Sequence, residues 1–390
     1  MSDANEFIGG STPRSGAAGI GRFKVVHLPV YSENQYQPLL MKRLAERGMQ
    51  VIDGGGGGNF LRTALFRWRA DLYHFHWLHP YLLRRGRLSS FLRATRFLLE
   101  LVLIRLSGAR IVWTVHNLVN HDRRFPKIER IYSTIFAHVA NGIVVHSDAG
   151  RLEIKKVYKL SERKPIAVIP QGSYVERYRN RAPRAESRAR LGLPPDDFVF
   201  LFLGRIEPYK GVLDLIQAFG QLPGASHLLM AGRVSDSSLL TQLHHETRGQ
   251  SRIKLDAGFV DDDELQTYFN AADVFVFPAR EILHSSSVSL AMSFGLACIA
   301  PAIAGIKEML GDHGGILYDP HDPTGLLTAM RSAIERRSEL RVAGQRNLLR
   351  ARDNNWSSAA ERTAAFYCQL IGDRVGILRG ATDSKENVSN

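Results

Sequence analysis

The chain has 390 residues, ample for two domains each with its own core, and 44% hydrophobic against 23% charged residues is an ordinary globular balance. Two cysteines, Cys298 and Cys368, exclude a disulfide framework and a thiolate metal cluster, and no apolar run reaches the length of a membrane span. The N-terminus lacks the apolar core of a signal peptide, so the expected location is the cytoplasm; a net charge of +13 points to an anionic partner, which is nucleic acid, an acidic membrane or a phosphorylated substrate.

In chain order, residues 1–21 read as disordered. Phe23–Val30 reads as a strand, Pro38–Arg47 as a helix stopped at Gly48, and Met49–Ile52 as a second strand. Five glycines, Gly54–Gly58, follow as a flexible loop; no helix with dinucleotide spacing opens from them. Leu72–Phe75, Arg110–Val115, Gly142–His146 and Ile166–Ile169 complete a strand series, with helices over Leu88–Leu106 and Ile128–Ala140. Residues 176–195 are charged, hold three prolines and read as a linker between a domain over 22–175 and one over 196–355. The second series has strands at Phe198–Leu203, His227–Ala231, Val274–Phe277 and Cys298–Ala300. Its helices cover Val212–Leu222, Ser237–Thr247, Asp261–Ala271, Ser286–Phe294 and Pro323–Arg336. A last helix within 356–379 is expected to pack back on the first domain, and 380–390 to form a disordered tail. The fold class is therefore α/β, two facing Rossmann-like doubly wound domains with a ligand crevice at the carboxyl ends of their strands.

Three segments carry candidate chemistry. Leu203-Gly204-Arg205 ends a buried strand, and Lys210-Gly211 enters the next helix. Gly204 permits close backbone approach, Arg205 can fork onto two phosphate oxygens and Lys210 adds a point charge. Ser285, Ser286 and Ser287 open a helix whose free N–H groups form a second phosphate cradle. In the first domain, His74, His76, His79, His116, His121 and Asp122 cluster at strand ends. The spacing supports no metal site, and such groups suit sugar hydroxyls and acid–base work. Between Tyr81 and Arg110 stand seven arginines and one acid, among leucines and phenylalanines. That segment is either a helix lying on an anionic membrane or a domain helix with a solvated basic face. No nucleic-acid motif supports the third kind of anionic partner.

Taken in order, HFHW at 74–77, TVHNLVNHD at 114–122, IPQG, LGRIEPYKG and AREILHSSSVSLAMSFG resemble the GT-B fold glycosyltransferases of family 4 and its relatives. The likeness extends over most of residues 23–370, and is closest to bacterial exopolysaccharide glycosyltransferases of the xanthan β-mannosyltransferase type. The resemblance implies transfer of a hexose from a nucleotide-diphosphate sugar, GDP-mannose or a UDP-hexose, to a lipid-linked or polysaccharide acceptor, with no obligatory metal or other cofactor. It implies diphosphate binding by Gly204, Arg205, Lys210, Ser285 and Ser286, and base or sugar contacts near Val260, Glu281, Ser287 and Leu290. It places His116 beside the donor sugar. Two departures stand out. Leu290 occupies the position of a ribose-binding glutamate, with Glu281 one step off the usual spacing of its partner. The HxHW segment continues Leu78-His79-Pro80 without a glutamate, which leaves His79 or Asp122 as the base. A sugar-nucleotide-binding protein without turnover and an epimerase on the same fold are the alternatives.

Overall fold

The structure, a computed structural model, describes residues 23–386 apart from 32–33, 57–60, 62–63, 65–68, 119–123 and 280–281, with side chains up to residue 372. The expected N-terminal segment and the site candidates Asp122 and Glu281 lie outside the described residues. The first half runs β1 (Lys24–Leu28), α1 (Tyr36–Glu46), β2 (Gln50–Asp53), β3 (Leu72–Phe75), α2 (His79–Leu82), α3 (Arg87–Leu106), β4 (Arg110–Thr114), α4 (Pro126–Val139), β5 (Gly142–Val145), α5 (Asp148–Tyr158) and β6 (Ile166–Val168). After α6 (Arg184–Arg190), the second half runs β7 (Phe198–Leu203), α7 (Val212–Gly220), β8 (Ser226–Ala231), α8 (Ser237–Thr247), β9 (Ile253–Asp256), α9 (Leu265–Ala271) and β10 (Val274–Val276). It continues with α10 (Ser286–Ser293), β11 (Ala297–Pro301), α11 (Ala304–Leu310), β12 (Gly315–Tyr318), α12 (Gly325–Glu335), α13 (Arg337–Asp353) and α14 (Trp356–Glu386). Residues 380–386, expected as tail, continue α14.

Each half builds one parallel six-stranded sheet, in the orders β2-β1-β3-β4-β5-β6 and β12-β11-β10-β7-β8-β9. Strands such as FVFLFL, apolar at every position, suit a sheet covered on both faces. In each sheet the order reverses beside the first strand, between β1 and β3 and between β7 and β10. The strand ends splay apart there, and a ligand crevice opens.

Two features fix the halves. The 176–195 stretch is bolted to the second domain rather than loose: Arg188, fully buried in α6, donates to Asp273 Oδ2 at 2.8 Å and to the carbonyls of Ala271, Pro194, Pro195 and Asp197. Arg184 and Arg337 complete a cage around the buried Asp273 carboxylate, 2.7 and 2.9 Å away. At the other end, α14 returns to the first sheet, where Phe366, Tyr367 and Leu370 pack with Leu40, Leu44 and Val144. Gly142 gives way to it, since a Cβ there would stand 2.6 Å from the Phe366 ring.

Helix α3 has apolar residues on two opposite sides. Ala94, Phe97, Leu101 and Ile104 face the core, while Leu88, Phe91, Leu92, Leu99, Leu103 and Leu106 are exposed. No described helix is long and apolar enough to cross a membrane.

Candidate active site

The crevice is a cavity of about 980 Å³ between the two sheets' switch points. The first domain contributes Tyr31, Tyr36, Trp77, His79, His116 and Asn117; the second contributes Gly204, Arg205, Lys210, His284 and Ser285–Ser287. Bridges across it include Tyr174 N–H to Ser293 Oγ at 3.0 Å. The Glu308 carboxylate accepts from Asp148 and Ala149 N–H at 2.8 and 3.0 Å, so an acid of one domain caps α5 of the other.

The second-domain wall gathers two cations and a helix N-terminus in one corner. Strand β7 ends at Gly204, whose φ of +139° suits glycine, and a Cβ there would lie 2.8 Å from Ser287 Oγ and 3.7 Å from Lys210 Nζ. A 3-10 turn over Pro208–Lys210 folds Lys210 back into this corner, and Gly211 at φ +68° releases the chain into α7. Burial pushes the Lys210 ammonium down to about pKa 8, with Glu207 opposing the fall and Arg205 adding to it. Arg205 is 64% exposed and pairs with Glu207 at 3.0 Å. Ser285 caps α10 by accepting from Val288 N–H at 3.2 Å. The first N–H groups of that helix remain for an anion. The structure thus brings together Gly204, Lys210, Ser285, Ser286 and Ser287, with Arg205 at the mouth. Leu290 lines the cavity and also packs against the second-domain core, whereas Val260 packs on that core away from the described lining.

The first-domain wall is a row of histidines, one from the end of each adjacent strand. His27 Nδ1 lies 3.0 Å from His76 Nε2, His76 Nδ1 3.2 Å from His116 Nε2, and His116 Nδ1 3.4 Å from His146 Nε2. His146 Nδ1 lies 2.9 Å from the Ile169 carbonyl. That carbonyl can only accept, so His146 carries its proton on Nδ1, and its Nε2 accepts from His116. The assignment propagates: His116 and His76 are Nδ1–H tautomers in turn, and His27 ends the row with a buried Nε2 lone pair that has no hydrogen-bond partner. Desolvation keeps the rings neutral, with His27 lowered to about 3, His146 to about 4 and His76 and His116 well below 6.5. Beside the row, His74 Nε2 meets Thr114 Oγ1 at 2.7 Å and its Nδ1 meets the Tyr367 hydroxyl. The donor atoms of His27, His74 and His76 lie within 4.8 Å of one another, yet all but His27 Nε2 are engaged in these bonds.

This geometry revises the role of His116. It sits at the crevice, stacked on Trp77 at 4.6 Å, but both its ring nitrogens are held within the row. It therefore offers no free lone pair to a substrate. His79 lines the crevice from the first turn of α2. Sequence reasoning missed His27, His146 and the polar hub Gln171. The Gln171 amide oxygen receives His284 Nε2–H at 2.9 Å and Ser286 Oγ at 3.2 Å, while its NH2 group donates to Tyr174 at 2.8 Å. The signal available was that β1, β3, β4 and β5 each run into a histidine.

Two doubly wound domains facing across such a crevice give this chain the GT-B fold. Residues 183–348 match the sequence model of the glycosyl transferases group 1 family. Among solved structures, sucrose-phosphate synthase from Thermosynechococcus elongatus superposes with a TM-score of 0.71 at 19% identity, covering 90% of this chain and 99% of that one. Anabaena Alr3699/HepE in complex with UDP and glucose gives 0.66 at 16%, covering 88% and 98%. The D-inositol 3-phosphate glycosyltransferase of Kineococcus radiotolerans is 29% identical over 266 residues, 62% of this chain and 60% of that protein. The chain spans about three fifths of the length of the curated relatives it matches.

Proposed function

We infer that the protein transfers a hexose from a nucleoside-diphosphate sugar to an acceptor hydroxyl, without a metal ion. The observation that carries this reading is the convergence of Lys210, Gly204, Ser287 and the N-terminus of α10 on one corner of the crevice, opposite Trp77 and the histidine row. In the reaction the bond from the anomeric carbon to the diphosphate oxygen breaks, and the acceptor oxygen forms the new bond. The negative charge gathers on the leaving diphosphate, where Lys210, Arg205 and the helix N-terminus meet it. The acceptor proton leaves to the departing phosphate or to solvent. Among the described residues Glu207 is the one carboxylate that lines the crevice, and it is paired with Arg205.

For the finer identity, a UDP-hexose gains support from the UDP and UDP-glucose bound in the Anabaena neighbour's structures. GDP-mannose rests on the motif likeness to exopolysaccharide mannosyltransferases. The acceptor in this reading is a lipid-linked or polysaccharide sugar in exopolysaccharide synthesis, met at the inner face of the plasma membrane. The exposed apolar side of α3 and its arginines support that location.

A thermal-shift panel of GDP, UDP, ADP and their sugar conjugates tests the reading. A selective rise of several degrees with one nucleotide, absent in Lys210→Ala, is expected. A flat response to all of them would overturn it.

A further inference from the structure

One face of helix α3 is apolar yet plays no part in the core. At about 100° per residue, Leu88, Leu92, Leu99, Leu103 and Leu106 fall within an arc of about 60°, diametrically opposite Phe97, Leu101 and Ile104 in the core. The stripe continues onto the adjacent α4, where Ile131 and Ile135 are exposed one turn apart. Such a contiguous exposed patch marks an interaction surface.

Beneath the same helix lies a second cavity, of about 600 Å³, separate from the crevice. Its charge comes from Arg84, Arg85, Arg93 and Arg96 against one acid, Glu100. Glu100 is already paired with Arg96 at 2.8 Å, and Arg93 is aimed by bonds to the Pro80 carbonyl at 2.6 and 2.9 Å. Among the described residues no carboxylate pairs with Arg84 or Arg85. Arg84 and Arg96 also stand close enough to Arg93 to depress its pKa further, after the larger effect of burial. Guanidinium groups crowded around a cavity with an apolar rim (Leu92 and Phe97) match the phosphate of a lipid whose chains lie along the stripe. The location suits transfer: α2 carries His79 on the crevice at one end and Tyr81 on the arginine cavity at the other. Arg84 follows His79 by five positions, a reach of at most about 18 Å.

We propose that the arginine cavity under α3 is a socket for the phosphate of a membrane lipid, with the α3–α4 stripe buried among the acyl chains, so that a lipid-linked acceptor presents its sugar to the crevice past His79. This rests on the glycosyl-transfer reading only for the last clause; the socket stands apart from it.

The test is co-sedimentation of the full chain with vesicles of phosphatidylcholine alone and with a quarter phosphatidylglycerol, beside the thermal shift given by UDP. Wild type is expected on the anionic vesicles. Arg84→Gln with Arg85→Gln should weaken that binding about thirtyfold, and Leu99→Glu with Leu103→Glu should abolish it. The matched charge loss Arg346→Gln with Arg352→Gln, at exposed positions of α13, should change it less than about threefold. All variants should keep the wild-type nucleotide shift and melting temperature. Absence of wild-type binding would overturn the proposal, as would equal losses in the two arginine pairs, which would mean diffuse charge. Release from vesicles by millimolar pyrophosphate or inositol phosphate, bound as tightly in free solution, would assign the cavity to a soluble anion instead. Vesicle binding with no shift by any nucleotide would leave the socket standing and sink the transferase reading.

Discussion

The two walls of the crevice solve opposite electrostatic problems with the same sheet topology. The second domain concentrates positive charge where its first strand ends: Lys210 is buried, Arg205 stands at the mouth, and a helix N-terminus points inward. The first domain places histidines at the equivalent strand ends and holds them uncharged by burial and a directed hydrogen-bond row. In the transfer proposed above, the sugar would pass between a wall that stabilises anionic charge and a neutral wall that orients hydroxyls. The contrast lies in the residues at the strand ends, not in the strands themselves.

Removing the charge from the cationic wall should have the largest effect. Lys210→Ala is expected to lower kcat/KM for the donor by about 10²–10³, the usual cost of losing one stabiliser of a developing anion. Steady-state kinetics of that variant within tenfold of wild type would abolish the distinction between the walls. Closing the glycine corner should come next. In Gly204→Ala the added methyl meets Ser287 Oγ at 2.8 Å in a left-handed conformation, and donor affinity should fall about tenfold to hundredfold by calorimetry.

The neutral wall should answer differently. His146→Phe removes the anchor to the Ile169 carbonyl and strands the His116 N–H. We expect about 1–3 kcal/mol lost from stability and a reduced kcat, with the donor KM unchanged. A raised donor KM would show that the row binds the diphosphate too.

Smallest at neutral pH are the two titrations. The histidines' folded pKa values lie below 6.5, so their stabilisation is complete above 6.5 and is lost as pH falls toward about 4 and 3. The melting temperature should fall across that range. Lys210 is charged below about 8 and neutral above it, so donor kcat/KM should decline as pH rises through 8. Lys210→Arg should move that limb upward if the fork fits.

The cationic wall was legible in the sequence because it is local: a buried strand, a glycine and two cations within the thirteen residues Phe198–Lys210. The same locality made FVFLFL and RIVWT readable as strands. Strands β9 and β12 were not, since IKLD and GILY are four-residue segments at sheet edges and only partly buried. Helix α13 was hidden by its arginines and carries only a thin buried stripe at Leu340, Ala343 and Asn347. The histidine row draws one residue from each of four segments between His27 and His146, and only the strand order places them in sequence. The sequence placed His116 beside the donor sugar, and only its neighbours show that both its ring nitrogens are engaged.

The direction of that row has a consequence for how the wall can vary. Every ring donates through Nδ1 toward Ile169, so no single member can adopt the other tautomer while the rest stay as they are. Substitutions at His76, His116 and His146 should therefore be strongly non-additive, the second change costing far less than the first. A variant lacking one histidine thus releases the constraint on the tautomers of the others.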